Sequence, residues 1–351
     1  MTLYKFKFMA LLCAVMFVVL GPRAFSDDTN WTATQTIDGH PDLQGVWGNN
    51  TITPLQRPEF FGDKEFLTDE DVEFLTRRIS EIQAEGSDAL FTDGVLQAAF
   101  SGEVQSYDPT TGNYDSQWMV DRTVHARTSL ITDPPNGRLP KMTDEASALA
   151  KQAETRQIEH PADSWSDRPL GERCITFGAP DIWLSGYNSY WHIVQSKNSI
   201  AIVQEKIHDV RIIPIVEKPK LDGKISLWHG DSRGWWDGET LVIETTNFSG
   251  KADLLHSVSA AGQQIRGPGP RASERTYTER ITRVAKNAIR YEITSSDPGT
   301  YQRPYTVEMT LDYTEDPIYE YACHEGNYGM ANILSGHRAQ ERFAAESGSQ
   351  N

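Results

Sequence analysis

The chain has 351 residues, 38% of them hydrophobic and 23% charged, with a formal net charge of −16 at pH 7. That composition is ordinary for a globular protein and leaves room for one large domain or two small ones. The acidic balance argues against nucleic acid and anionic membranes as partners, because phosphate binding needs a basic face, and no repeat of solenoid or propeller period is visible.

Residues 1–26 read as a secretory signal peptide. Lys5 and Lys7 precede an apolar run from Met9 to Leu20, at about a dozen residues too short for a comfortable membrane span. Gly21 and Pro22 break that run, and Ala24-Phe25-Ser26 sets small residues at the −3 and −1 positions before Asp27. The alternative is an uncleaved N-terminal anchor. No other apolar run approaches membrane length, so the mature chain is expected to be soluble and periplasmic or secreted, with no membrane insertion. Loss of Lys5, Lys7 and Arg23 takes the charge to −19 and leaves two cysteines, Cys174 and Cys323. In an oxidising compartment these suggest one disulfide, the alternative being two separate buried thiols. Neither lies in a CxxC or zinc spacing.

From Asp27 to about Pro180 the chain is rich in Asp, Gly, Pro and Thr. Two helices are predicted there. Thr68 caps Asp69 to about Gln83, with Val72, Leu75, Ile79 and Ile82 along one face. Thr143 caps Asp144 to about Gln157. Asp133-Pro134-Pro135-Asn136-Gly137 is a strong turn. The remainder reads as long ordered loops that wrap a core.

From about Tyr187 the pattern becomes β. Trp191–Gln195 and Ser199–Gln204 form a tight hairpin, followed by strands at Val210–Val216, Lys224–Trp228, Thr240–Thr246, Ser273–Val284, Ala288–Thr294, Tyr305–Tyr313 and Ile318–Tyr321. Short links make this an antiparallel meander. Eight or nine such strands close most easily into a barrel, which removes exposed edges; a β-sandwich of the same strands is the alternative. Asn327 to about Glu341 closes the fold as a helix. The expected fold is therefore mainly β, an antiparallel barrel-like meander wrapped by an irregular N-terminal half with two or three helices. Residues 27–343 form a single domain (27–186 wrapping, 187–343 barrel and closing helix), and 344–351 form a disordered tail.

Several segments resemble a family of exported bacterial proteins of unknown function. They are Pro41-Asp42-Leu43-Gln44-Gly45-Val46-Trp47, Ser129 to Gly137, Glu172-Arg173-Cys174, Gly230-Asp231-Ser232-Arg233-Gly234, Asp237 to Thr245 and, most specific, Tyr319-Glu320-Tyr321-Ala322-Cys323-His324-Glu325-Gly326-Asn327-Tyr328. The resemblance implies export and one co-folded unit, and no mechanism. Trp236-Asp237-Gly238-Glu239-Thr240-Leu241 also resembles the strand entry of lipocalin-like barrels.

Three clusters could carry chemistry. Around Glu205, His208, Asp209 and Arg211, a His beside a carboxylate could serve as a general base; a hydrogen-bonded turn histidine is the plainer reading. His229, Asp231 and Arg233 share a face if extended, with the carboxylate between imidazole and guanidinium; a structural Asp–Arg pair under a glycine turn is the alternative. His324, Glu325, Asn327 and Tyr328 follow Cys323, where a disulfide would hold them rigid, although Asn327 could simply cap the last helix. Tyr187, Asn188, Tyr190, Trp228, Trp236 and Asn327 are candidate ligand-binding residues. The candidate catalytic set is His208, Asp209, Asp231, Arg233, His324 and Glu325.

There is no GxSxG, HExxH, P-loop or dinucleotide GxGxxG motif, and Gly267-Pro268-Gly269-Pro270 is a loop. Nothing in the spacing of His208, His229 and His324 requires a metal, and no cofactor is expected. The expected function is an enzyme acting on a small, partly apolar molecule by acid–base chemistry, as a lyase, isomerase or hydrolase. A non-catalytic barrel binding an apolar or aromatic small molecule is the alternative, and a carbohydrate-active protein the third reading. The three His-bearing clusters are expected to meet at one end of the barrel, because polar groups of this kind are expensive to bury apart from one another.

Overall fold

The computed structural model describes residues 31–84, 99–100, 122–178, 180, 188–215, 219–251 and 271–348, so the segment read as a signal peptide lies outside them. The strands are β1 (Gly45–Gly48), β2 (Ile131–Asp133), β3 (Tyr190–Gln195), β4 (Ser199–Gln204), β5 (Val210–Pro214), β6 (Asp231–Asp237), β7 (Thr240–Thr246), β8 (Thr276–Ala285), β9 (Ala288–Ser296) and β10 (Tyr305–Thr314). The helices are α1 (Asp69–Ala84), α2 (Asp144–Glu159) and α3 (Tyr328–Gly348).

Nine strands run in the order β5-β4-β3-β1-β10-β9-β8-β7-β6 and curl into a nearly closed antiparallel barrel, with β2 adding to β10. The order departs from a pure meander at one place. β1, from the wrapping half, slots between β3 and β10 and pairs with both. Only four residues long, it shows no alternation in sequence, yet it delivers the fully buried Trp47 to the core. Two expected strands are absent as strands. Lys224–Trp228 is a turn with one bridge, Leu227 to Phe248. Ile318–Tyr321 joins no strand ladder, and the Tyr319 N–H goes to the Glu205 carboxylate instead. α3 carries on to Gly348, past Glu341 where its end was expected and into the segment 344–351 expected to be a disordered tail.

The helix starts follow their capping residues. Thr143 Oγ1 accepts from Ala146 N at 3.1 Å. Thr68 and Asp71 exchange bonds, Asp71 N to Thr68 Oγ1 at 3.2 Å and Thr68 N to Asp71 Oδ2 at 2.9 Å, a reciprocal capping box in which Asp takes the usual Glu position. Under α1 a small core gathers Ile52, Leu67, Leu75, Ile79 and Ile82.

The main core fills the barrel. Inward residues alternate along the long strands β9 and β10, as in Ile289, Tyr291 and Ile293 of β9 and Tyr305, Val307, Met309 and Leu311 of β10. Trp191 meets Tyr291 edge to face, with ring centroids 5.1 Å apart. β5 and β6, the two ends of the hydrogen-bonded path, lie side by side without pairing as strands. At Gly234 a Cβ would sit 2.6 Å from Ile215 Cδ1 and 3.0 Å from Ile213 Cγ2, so a glycine on β6 lets the β5 side chains close the seam.

A buried polar network crosses the same seam. Arg211 of β5 donates to Glu279 of β8 through Nη1 at 3.0 Å and Nη2 at 2.6 Å, and to Ser232 Oγ of β6 at 3.2 Å. Tyr291 OH donates to Glu279 at 2.9 Å. Removing one partner of such a pair leaves an uncompensated buried charge, at a cost of about 3–5 kcal/mol. We expect Arg211→Met and Glu279→Leu each to destabilise by that amount in chemical denaturation, and the double variant to recover most of the loss. Additive losses in the double variant would show that the two groups act independently.

Candidate functional site

One end of the barrel collects the start of β5, the start of β6 and the end of β7. Two of the three predicted clusters meet there, with altered pairings. His229 precedes β6 in a turn that needs Gly230, whose φ is 69° and where a Cβ would lie 2.5 Å from the Thr246 carbonyl. His229 Nε2 is 3.3 Å from Asp209 Oδ2 and 3.0 Å from Thr176 Oγ1. Thr176 Oγ1 donates to Asp209 Oδ2 at 2.7 Å and accepts from Gly178 N at 2.9 Å. The imidazole tautomer follows from these partners. With the Thr176 proton committed to Asp209, Nε2 is the donor in these contacts, and in the neutral imidazole Nδ1 is the nitrogen that carries the lone pair. The His229 side chain is 21% exposed, whereas Thr176 is buried.

The expected His229–Asp231–Arg233 face does not form, because the Gly230 turn takes His229 off the strand. Asp231 pairs instead with Arg233, Oδ1 to Nη2 at 2.9 Å, and accepts from Leu221 N at 3.2 Å. His208 is exposed, and its Nδ1 lies 3.3 Å from the Tyr321 carbonyl oxygen. Glu205, between these groups and β4, is buried, and that burial pushes its carboxyl above the ordinary range.

A disulfide joins Cys174 to Cys323 across 149 residues, with Cα atoms 5.6 Å apart. It ties the segment carrying Thr176 to the one carrying Tyr319 and Tyr321. Asn327 reinforces the tie. Its Nδ2 donates to the Glu172 carbonyl at 3.1 Å, and its Oδ1 caps α3 by accepting from Met330 N at 3.3 Å. That amide is therefore occupied by structure. Left-handed backbone gathers in these same segments, at Cys174 (φ 55°), Ile207 (φ 54°), His208 (φ 47°) and Asn247 (φ 59°). Such conformations cost roughly 1–3 kcal/mol each and concentrate where surrounding structure holds a site in place; for the β-branched Ile207 the penalty is greatest.

The third predicted segment reaches the same end through Cys323 and the Tyr321 carbonyl, but its candidate side chains do not join the His229–Asp209 pair. His324 and Glu325 are exposed, and no hydrogen bond or ion pair among the described residues joins their side chains to His229 or Asp209. Asn188 and Tyr190 stand at the entry to β3, where Tyr190 OH accepts from Asn50 Nδ2 at 3.3 Å. Trp228, 39% exposed, neighbours His229. Trp236 is at the opposite end of the barrel, stacked on His40 with centroids 4.7 Å apart. Tyr187 lies outside the described residues. His208, His229 and His324 do not gather as metal ligands; the described side chains within metal-binding reach of one another are Asp163, His337 and Glu341.

Two residues of interest carried no sequence signal. Thr176 belongs to no motif. His125 lies in a covering loop, beside a cavity of about 120 Å³ between that loop and the outer faces of β9 and β10, lined also by Arg127, Arg290, Glu308 and Thr310. Burial pulls the His125 imidazole down to about 4, while burial pushes the Asp312 carboxyl, 3.7 Å away, upward. Comparison of the chain with family models, curated proteins and solved structures returns no match.

Closing a loop of this length stabilises by about 4–5 kcal/mol in the chain-entropy model, so a Cys174→Ser/Cys323→Ser variant should lose stability on that scale in urea. A loss under about 1 kcal/mol would place the strength of the tie elsewhere. A second expectation concerns pH. Because His125 titrates at about 4 when folded rather than 6.5, the folded state binds fewer protons in that interval. Its contribution is complete above the unfolded value and is lost as pH falls through about 4. His125→Gln should therefore flatten the fall of the urea unfolding free energy between those two values, by up to about 3 kcal/mol. Parallel curves for wild type and variant would contradict it.

Proposed function

We propose that this is an exported enzyme that acts on a small, partly apolar molecule by acid–base chemistry, as a lyase, isomerase or hydrolase. One observation carries the reading. Asp209 and Thr176 together face the His229 Nε2, so in the neutral ring Nδ1 is left as the basic lone pair of a partly exposed imidazole. A carboxylate behind an imidazole orients it and stabilises the imidazolium that forms when it takes a proton. In this assignment His229 is the proton-transfer group, Asp209 its partner and Thr176 the positioning residue. Arg233 neutralises Asp231 beside them. Export rests on the leader-like residues 1–26, and among the described residues no helix is long and apolar enough to cross a membrane.

The carrier reading needs an apolar cavity, and among the described residues the barrel interior holds a packed cluster that includes Trp47, Trp191, Tyr291 and Leu311. The packed interior therefore favours chemistry at the barrel mouth over storage inside it.

The test is an untargeted one. Oxidised protein is incubated with a mixed small-metabolite extract, and turnover is followed by mass spectrometry. At least one compound should be consumed by wild type and consumed about 10²–10⁴-fold more slowly by His229→Gln and Asp209→Asn. Thr176→Val should fall between them. Equal turnover by wild type and His229→Gln would refute the assignment.

A further inference from the structure

No described side chain of α3 is buried, and Tyr328 and Phe343 stand largely exposed along it. Its middle turns nevertheless bring His337 and Glu341 to one face, four residues apart, against Asp163 in the loop after α2. One donor atom from each of the three lies within 4.8 Å of the others. His337 Nε2 and Glu341 Oε1 are 3.5 Å apart. A tetrahedral ion with bonds of about 2.1 Å spaces its ligand atoms about 3.4 Å apart, so this pair already has the span of a chelate. Asp163 closes the third edge with up to about 1.4 Å of movement of a partly exposed side chain. Its Oδ2 meets His160 Nδ1 at 2.8 Å, the kind of outer hydrogen bond that commonly orients a carboxylate ligating through its remaining oxygen.

The place already draws positive charge. Arg338 Nη2 lies 2.8 Å from Glu341 Oε1 and 3.6 Å from Asp163 Oδ1. The same guanidinium faces the Ala162 and Asp163 carbonyls, each at 3.4 Å, where it can remain if it leaves the carboxylates. One guanidinium faces two carboxylates, so with both imidazoles neutral the cluster keeps a net negative charge.

We propose that Asp163, His337 and Glu341 form a binding site for a divalent transition ion, Zn²⁺ or a first-row neighbour, with His160 orienting Asp163 and Arg338 the cation displaced. An imidazole beside two carboxylates suits such ions better than Mg²⁺ or Ca²⁺, which take oxygen ligands. Water completes the shell. The ion staples α3 to the loop after α2, an attachment that buried side chains of α3 do not supply.

The experiment is calorimetric titration of chelator-treated, oxidised full-length protein with Zn²⁺ alone, with Co²⁺ absorption as a second probe. Wild type should bind one ion per chain with a Kd on the order of 10 µM or tighter. His337→Ala and Asp163→Asn should each weaken binding at least about tenfold and remove the Co²⁺ visible bands, and His160→Ala should weaken it about tenfold. Arg338→Gln should tighten it, because the competing cation is gone. His229→Ala should bind as wild type does, which separates this site from the acid–base assignment. Circular dichroism checks that each variant is folded. No saturable heat in wild type, or equal binding by His337→Ala and Asp163→Asn, overturns the proposal and leaves the cluster as an ion-pair network.

Discussion

The barrel depends on a buried ion pair placed where its backbone hydrogen bonds stop. β5 and β6 do not pair, so nothing in the ladder sets their register. Arg211 and Glu279 do so from inside. The guanidinium is nearly inaccessible and the carboxylate wholly so, and the two meet through both terminal nitrogens. Taking such charges out of water is costly, and the pair is tolerated only when its geometry is good and its other hydrogen-bonding positions are filled. Ser232, Thr245 and Tyr291 fill most of them. Burial holds the Tyr291 phenol well above its ordinary range, so it remains a donor to Glu279. A hydrophobic seam could match this in energy but would accept several registers. A slip of one residue would take Arg211 out of the lumen and leave the buried Glu279 carboxylate without its partner.

The candidate site inherits its geometry from that seam. Asp209 lies two residues before Arg211, and His229 three before Ser232. The contact between Arg211 and Ser232 therefore brings the two loop residues together. The disulfide adds the third partner from outside, because Cys174 is two residues from Thr176. The left-handed residues at Cys174, Ile207, His208 and Asn247 mark how sharply the chain must turn to present these groups. Their strain is held in place by the covalent tie on one side and the ion pair on the other.

The wrapping half explains a second peculiarity of the strands. Glu308, Thr310 and Asp312 alternate with core residues on β10 and would suit an outward, solvated face. They are instead partly covered by the loop carrying His125 and Arg127, and Arg127 bonds both Glu308 and Glu65. Under this loop the interface between barrel and wrapping is thus polar, held by charge-assisted bonds beside a partly enclosed cavity.

Much of the fold could be read locally. The caps at Thr68 and Thr143, the apolar stripe of α1 and the β3–β4 hairpin depend on residues a few positions apart, so the sequence displays them directly. Two cysteines left after a leader-like segment made the Cys174–Cys323 bond legible by elimination. The two clusters around His208 and His229 stood out because charge, imidazole and turn glycine rarely coincide in plain core or plain surface. What the tertiary structure decided is which of these groups meet. Strand order put β1 between β3 and β10, although four residues carry no periodicity. The Gly230 turn gave His229 to Asp209 and left Asp231 to Arg233, where an extended chain would have shared one carboxylate between them. Thr176 and His125 have no motif and acquire their surroundings only from segments far away in the chain, and Trp236 was carried to the opposite end of the barrel by the length of β6. Local propensity is written in neighbouring residues; partner choice across a barrel is set by strand order and register, which no short stretch of sequence contains.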